Sequence, residues 1–161
     1  MSMQRSQKAL FSAVLARDIQ GLGDAISAGA DVNARDRDGR TALMHAVINQ
    51  DPESIKLLLK QYKADPNVRD RSGWSALHFA AQSGAREIVR ELVEAGAVVD
   101  SADEHGNTPL FRAVFAYRGT AEAVTSLLEL GADPDHLNRH GMSPRKLAHN
   151  IGNYDTKKFF P

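Results

Sequence analysis

Apolar residues recur along the chain in pairs of short segments with helical spacing. The clearest pair lies between positions 70 and 97, where a glycine separates the two segments and a second glycine ends the pair. The apolar positions are Leu77, Ala80 and Ala81 in the first segment and Ile88, Val89, Leu92 and Val93 in the second. Steps of one, three and four residues are typical of amphipathic helices, so the pattern predicts two short helices joined by a tight connection.

The same pattern recurs at a nearly fixed distance. Gly39, Gly73, Gly106 and Gly141 are 34, 33 and 35 residues apart. Each is followed two residues later by a hydroxyl side chain that can cap a helix, and these are Thr41, Ser75, Thr108 and Ser143. A period in this range predicts supersecondary units that stack on one another. The small residue Ala80 recurs as Ala46, Ala113 and Ala148, as expected where neighbouring first helices pack closely.

The two ends and the first repeat depart from the regular pattern. Lys8–Ala16 and Ile19–Ser27 predict a helix pair in which Asp18 caps the second helix and Gly29 ends it in a left-handed conformation. Residues 61–63 are one residue longer than their counterparts and lack a glycine, which predicts a distorted turn with Tyr62 on the convex side. The third repeat carries two extra residues near Tyr117, and residues 154–160 predict a short final helix.

The repeated turn motif resembles that of a known family. The segments 39–43, 73–78 and 106–110 resemble the Gly-x-Thr-Pro-Leu-His motif of the ankyrin repeat. The resemblance implies an all-α solenoid of helix-turn-helix repeats with projecting β-turn or hairpin loops, capped at both ends. We expect one domain over 1–161. Its parts are an N-terminal capping repeat at 1–35, repeats at 36–69, 70–102 and 103–137, and a C-terminal capping repeat at 138–161.

Composition narrows the classes of partner. Twenty basic and twenty acidic residues cancel, which disfavours nucleic acid and anionic membranes as partners. The absence of cysteine excludes disulfides, thiolate nucleophiles and zinc-thiolate sites. No segment has the roughly 20 apolar residues of a membrane span, and residues 1–18 do not form a signal-peptide core. We therefore expect a cytoplasmic protein.

Local charge is less even than the total. Residues 103–137 carry six acidic and two basic side chains, and residues 138–161 carry one acidic and five basic. One interpretation is that these are solvated helix faces. The other is that the acidic third repeat meets a basic surface of a partner.

The sequence contains no recognisable catalytic or cofactor motif. There is no Gly-x-Ser-x-Gly, no P-loop and no Gly-x-Gly-x-x-Gly. His78 lies three residues after the cap Ser75, where a hydrogen bond to the start of its own helix is expected. His105 and His140 occupy equivalent turn positions and are expected to approach each other, but no carboxylate or thiol at matching spacing completes a metal site. We predict no enzyme activity, no cofactor and no metal.

What remains is the surface that packing does not use. Stacked repeats expose their turn tips and the outward positions of their first helices on one concave side. The residues predicted to bind a protein there are Arg37, Asp38, Arg40, Ile48, Arg69, Arg71, Trp74, Gln82, Glu104, His105, Asn107, Phe115 and Tyr117. Trp74, beside Arg40 and Arg71, is the expected energetic centre, since Trp and Arg most often dominate interfaces. The alternatives are that Trp74 folds over its own turn and that Phe115 and Tyr117 point inward.

The predicted function is a non-catalytic module, monomeric when free, that binds a protein partner. The closing stretch is similar to the ends of small bacterial ankyrin proteins, some of which are immunity partners of secreted toxins. One specific hypothesis is therefore an inhibitor that neutralises a toxin or effector enzyme. The alternative hypothesis is an accessory factor that stabilises or activates a housekeeping enzyme.

Overall fold

A computed structural model describes residues 3–118, 121–151 and 156–160. The helices are α1 (Met3–Ala16), α2 (Ile19–Ser27), α3 (Ala42–Ile48), α4 (Pro52–Lys56), α5 (Ala76–Ser83), α6 (Arg86–Glu94), α7 (Pro109–Phe115), α8 (Glu122–Glu129) and α9 (Pro144–Asn150). A π-helical turn, Leu57–Gln61, continues α4, and a 3₁₀-helix covers Thr156–Phe159. Within the described residues no β-strand forms, so the architecture is an all-α repeat solenoid whose tips are turns.

The helices form two layers. The inner layer contains α1, α3, α5, α7 and α9, each packed against the next, and the outer layer contains α2, α4, α6 and α8. Each outer helix packs on the inner helix that precedes it. This arrangement confirms the helix pairs predicted from the period, although α1 begins at Met3 and not near Lys8.

Side-chain caps begin the helices where the sequence predicts them. The Asp18 carboxylate accepts the Gly21 N–H at 2.9 Å, and the Thr41 hydroxyl accepts the Met44 N–H at 3.3 Å. Ser143 caps α9 in the same way through the Lys146 N–H. Each of these bonds satisfies a backbone donor that the first turn of a helix leaves without an internal partner.

The core runs continuously through the stack. Leu77 and Leu110 are fully buried, and Leu43 is almost so. The recurring alanines Ala46, Ala80, Ala113 and Ala148 are also buried, which confirms the prediction that small residues let the inner helices approach. Of the apolar face predicted for α6, Ile88, Val89 and Leu92 are buried, whereas Val93 is only half-buried.

The extra residue of the first repeat is accommodated inside a helix. The π-helical turn at 57–61 absorbs it, because a π-turn contains one residue more than an α-turn. Lys63 then takes the left-handed conformation, with φ 52°, that glycine supplies in the other repeats. The Tyr62 hydroxyl lies against Gly23 of outer helix α2, where an added Cβ would be 3.2 Å away. The distortion therefore begins earlier than the predicted turn.

The C-terminal end closes over the last inner helix. The Thr156 hydroxyl donates to the Ala148 carbonyl at 2.7 Å, and Phe160 is buried. The predicted helix over 154–160 is thus a 3₁₀-helix at 156–159, and positions 154 and 155 lie outside the described residues, as do the extra residues 119 and 120. No helix in the described ranges has the length and apolar character required to cross a membrane.

Candidate functional site

Each turn is built around one side-chain oxygen. Oδ1 of Asp70 accepts the N–H groups of Ser72 and Trp74, both at 2.9 Å. The equivalent residues Asp36, Asp103 and Asn138 make the same pair of bonds in their turns. An acceptor shared by two backbone donors fixes the turn and so fixes the direction in which its tip projects.

The turns are also bonded to one another. The Arg71 N–H donates to the Asp38 carbonyl at 3.0 Å, and the Arg139 N–H donates to the His105 carbonyl at 3.0 Å. The Glu104 N–H makes the equivalent bond to Ser72 at 3.2 Å. The tips therefore form a single row in which each turn is positioned by the one before it.

The outward positions of the inner helices lie beside this row. The N–H groups of residues 18, 51 and 85 bond the carbonyls of residues 13, 46 and 80, which sets the register between repeats. By this register Leu15, Ile48 and Gln82 are equivalent. Phe115 is the matching residue of α7, seven positions after the cap Thr108 as Gln82 is after Ser75, and we call these four residues the concave row. Leu15 and Phe115 are each 58% exposed and Ile48 is 41% exposed, which is unusual for large apolar side chains.

Trp74 lies at the centre of a cluster of rings and guanidinium groups. Its ring stacks on His78 with centroids 5.8 Å apart and contacts Phe79 at 5.0 Å. The Arg112 guanidinium lies 4.5 Å from the centre of the Trp74 ring, and that of Arg40 lies 5.3 Å from the centre of the Phe79 ring. We call these five residues the Trp74 cluster. Trp74 is half-buried, because its ring packs against His78 and Phe79 of its own helix.

Sequence reasoning missed the cation that stacks on Trp74. It expected Arg40 and Arg71, whereas the structure places Arg112 of the next repeat over the ring and Arg40 over Phe79. Arg112 lies one helical turn before Phe115, on the same face of α7. That spacing was the available signal, since Phe115 was already among the predicted residues.

Two of the turn carboxylates also contact side chains of the inner helices. Asp103 pairs with Arg112, and Asp36 lies 2.7 Å from Nε2 of His45. Burial raises the pKa of Asp103, but the hydrogen bonds from Arg112 and the Asn107 N–H outweigh it, so that the pKa lies below its ordinary value. Asp70 has an Arg40 nitrogen at 3.7 Å as its one ion-pair partner among the described residues, and the equivalent position of its own inner helix holds Phe79.

His78 has the structural role expected from the sequence. Its Nδ1 accepts the Ser75 N–H at 3.1 Å, and its Nε2–H donates to the Asn107 carbonyl at 3.1 Å, so the side chain joins two repeats. Burial lowers the pKa of His78 to about 4, which keeps the ring neutral. This histidine has no free nitrogen with which to bind a ligand.

A shallow concavity of about 360 Å³ opens beside the Trp74 cluster. Its walls include Arg40, Asp70, Trp74, Phe79, Gln82 and Arg112, which come from three successive repeats. The structure thus brings four of the predicted residues, Arg40, Trp74, Gln82 and His105, to one opening. His105 lines the same opening from the next turn.

Two of the predicted surface residues are buried. Asn107 is only 6% exposed, because its amide bonds Asp103 and Asn138 and its carbonyl accepts from His78. Tyr117 is 7% exposed and packs edge-on against Phe159, 5.8 Å away. The expectation that these two side chains project outward is therefore wrong, and both hold the stack together.

The remaining predicted residues lie on the tips or the inner helices. Arg37, Asp38, Arg69, Arg71, Glu104 and His105 are exposed at the tips. The rings of His105 and His140 stack 6.4 Å apart, so these residues do approach each other. Across the part of the chain that the structure describes, no three His, Asp or Glu side chains are grouped so that they could hold a metal ion.

Comparisons with known proteins match the repeats. A family model described as ankyrin repeats in three copies matches residues 10–103 and 49–138. Diacylglycerol kinase zeta of Rattus norvegicus is 37% identical over 105 residues, which cover 65% of this chain and 11% of that protein. The B-cell lymphoma 3 protein homolog of Mus musculus is 36% identical over 93 residues, covering 55% of this chain and 21% of that protein.

A third relative is also matched over a small part of its own length. The mitochondrial disaggregase of Bos taurus is 36% identical, and the match covers 63% of this chain and 20% of that protein. The chain therefore spans between 11% and 21% of the length of these curated relatives. Relatives whose names denote enzymes are matched over these small portions. Ankyrin repeats generally mediate protein–protein interaction and are typically non-catalytic.

Proposed function

The chain belongs to the ankyrin-repeat family, and on this premise we propose that it is a non-catalytic module that binds a protein partner through its concave face and turn tips. The observation that carries the proposal is the position of the concave row beside the Trp74 cluster. Gln82 of the concave row lines the same opening as Trp74 and Arg112, and its equivalents Leu15, Ile48 and Phe115 are exposed apolar side chains. Contiguous apolar surface rimmed by polar groups is typical of interaction sites.

The residue types on this face suit an interface. Trp and Arg contribute large contact areas together with polar groups, and they are enriched among residues that dominate binding energy. The row of hydrogen-bonded turns fixes the tips before any partner arrives, which lowers the entropy lost on binding. Contact with several successive repeats would cover roughly the 800 Å² per partner that is usual for a specific complex.

The test uses Phe115 and a matched control. A pull-down followed by mass spectrometry identifies the partner, whose affinity is then measured for wild type, Phe115→Ser and Val98→Ser. Phe115 and Val98 are 58% and 56% exposed, but Val98 lies in the loop after α6, away from the concave row. We expect Phe115→Ser to weaken binding by about 2 kcal/mol, the size seen at interface hot spots.

Both variants should keep the thermal transition of wild type, since each side chain is already exposed. Val98→Ser should bind as wild type does. If Phe115→Ser bound normally and Val98→Ser did not, the partner would lie on the other side of the solenoid and the proposal would be wrong.

A more specific proposal concerns whether binding inhibits or activates the partner. We propose inhibition of a toxin or effector enzyme, supported by the similarity of the closing stretch to the ends of bacterial ankyrin proteins that include immunity proteins. The alternative is an accessory factor that holds a housekeeping enzyme in its active state. An assay of the partner's activity distinguishes them, because titration with this chain lowers the activity in the first case and raises it in the second.

A further inference from the structure

The turn tips carry an excess of exposed positive charge. Their exposed cations are Arg35, Arg37, Arg69, Arg71 and Arg139, which we call the arginine rim. The exposed carboxylates at the tips are Asp38 and Glu104. The remaining turn acids point inward, where Asp36, Asp70 and Asp103 accept backbone N–H groups. The outward charge of the tips is therefore positive, although the whole chain is neutral.

No carboxylate neutralises the rim. In the part of the chain described here, none of the five arginines has a carboxylate oxygen within 4.0 Å. Arg35 and Arg69 instead donate to the carbonyls of Gly39 and Gly73, at 3.1 and 3.0 Å, which holds their side chains in place without cancelling their charge. Exposed guanidinium groups without a carboxylate partner attract carboxylates, and those of Arg35 and Arg69 are also held in position.

Away from the tips, several exposed charges are paired within the molecule. Glu129 of α8 lies 2.6 Å from Arg90 and 3.5 Å from Arg86, so charges there are paired within the molecule. Asp135 likewise pairs with Arg145 at 2.9 Å. The acidic character of residues 103–137 is thus partly satisfied internally, and it does not form an acidic patch on the tips.

The arginine rim lies along the tips beside the concave row, with two arginines at each of the first two turns and one at the last turn, whereas the third turn carries Glu104 at the position equivalent to Arg71. Neighbouring packed helices are roughly 8–10 Å apart, so Leu15, Ile48, Gln82 and Phe115 recur at about that distance. Seven residues of an α-helix rise about 10.5 Å. A helix lying along the concave row would therefore present one residue to each repeat if its contact positions recurred every seven residues.

Resting on the proposed function, we propose that the partner segment that fills this groove is an amphipathic helix with an acidic flank. Its apolar residues, spaced by seven, contact Leu15, Ile48 and Phe115, and a polar residue meets Gln82. Its Asp or Glu residues lie on the side facing the arginine rim. The preference for a polypeptide over nucleic acid comes from the concave row, since three large apolar side chains offer nothing to a phosphate backbone.

The probe is a displayed library of helix-forming peptides. Peptides of about 28 residues span four steps of seven, and their contact and flanking positions are randomised. Selection against the wild-type protein should enrich apolar residues at spacing seven and Asp or Glu on one flank. Enrichment of Lys or Arg, or of no sequence above the starting library, would overturn the proposal.

Charge reversal then tests the rim directly. For the enriched peptides, Arg37→Glu with Arg71→Glu should weaken binding by about tenfold or more, and added salt should weaken the wild-type complex. Lys56→Glu with Lys60→Glu is the matched control, because both lysines are exposed at the outer layer and the change in net charge is identical. This control should alter the affinity by less than about twofold if charge acts locally.

The outcomes separate the two proposals. Peptides that lose binding with Phe115→Ser but show no acidic preference would overturn this inference and leave the proposed function standing. Peptides insensitive to both Phe115→Ser and the arginine reversal would overturn both. Single-stranded polyuridine is run in parallel, and tighter binding of that RNA than of any enriched peptide, lost on arginine reversal, would replace the acidic helix with nucleic acid.

Discussion

At the scale of single residues, the same position performs different tasks in successive repeats. The third residue after the helix cap is His78 in one repeat, where it joins two repeats by hydrogen bonds, and Phe111 in the next, where it is simply buried. The sequence predicted the capping residues and the structural role of His78, because both follow from local spacing. It could not show that Asn107 is buried, since that depends on acceptors and donors in two neighbouring turns.

The Trp74 cluster changes what is expected of Trp74→Ala. The sequence predicted Trp74 as the energetic centre of an interface. Because the ring contacts His78, Phe79 and Arg112, its removal should also lower the free energy of unfolding by about 1 to 2 kcal/mol. Binding of the protein partner should weaken by about 2 kcal/mol or more. Urea unfolding and calorimetric titration measure the two effects; a stability loss with intact binding would make Trp74 purely structural.

His78 predicts a dependence of stability on pH. Its pKa is about 4 in the folded protein, against 6.5 for an accessible histidine, so the unfolded chain takes up a proton first as the pH falls. The contribution of His78 to the free energy of unfolding is fully present above about pH 6.5. It should decline by roughly 3 kcal/mol as the pH falls toward 4. Asp36 and Asp103, with lowered pKa values, add losses only at lower pH.

The control for this pH dependence is His78→Phe, the residue that the third repeat carries. Chemical denaturation between pH 7 and pH 4.5 should show a shallower decline in this variant than in wild type. Equal slopes in the two proteins would mean that His78 is not the group responsible.

At the scale of elements, the turn and the inner helix are built as one unit. The turn glycines have positive φ, and three of them lie directly beneath the next turn. An added Cβ at Gly73 would be 2.8 Å from the Glu104 nitrogen, whereas one at Gly141 would meet nothing within 4 Å. The period identified all four turn glycines. Only the structure shows that Gly39, Gly73 and Gly106 pack against the next turn, whereas Gly141 does not.

This difference predicts unequal costs for the same substitution. Gly141→Ala should lose about 1 to 2 kcal/mol, the cost of a left-handed conformation for a residue with a Cβ. Gly73→Ala should lose at least about 1 kcal/mol more, because backbone must move to relieve the contact. Equilibrium unfolding of both variants measures the difference, and equal losses would show that the turns do not pack as described.

Leu77 lies in the inner helix α5, and its truncation should clearly lower the free energy of unfolding. Its side chain is fully buried between repeats, so Leu77→Ala should cost roughly 2 to 5 kcal/mol of unfolding free energy. The exposed Val98 provides a control, and Val98→Ala should change stability by less than about 0.5 kcal/mol. A near-zero effect of Leu77→Ala in thermal or urea unfolding would mean that the repeat register is wrong.

At the scale of the whole molecule, contacts run from each repeat to the next, and the solenoid leaves one side unused by packing. The sequence period was enough to predict stacked helix pairs, because every copy carries the same caps, turn glycine and apolar spacing, and the resemblance of the motif supplied the solenoid fold. It was not enough to predict the Trp74 cluster, whose members come from three repeats, or the π-helical turn at 57–61 that absorbs the extra residue. Such features depend on contacts between units, which a period does not encode.

The central claim is that the concave face and the turn tips bind the partner. It is tested most directly by recording amide and indole NMR shifts of the protein while the partner, or a selected peptide, is titrated. The account predicts that the largest changes occur at Ile48, Trp74, Gln82 and Phe115, including the Trp74 indole N–H. Changes confined to the outer helices α6 and α8, with an unmoved Trp74 signal, would contradict it.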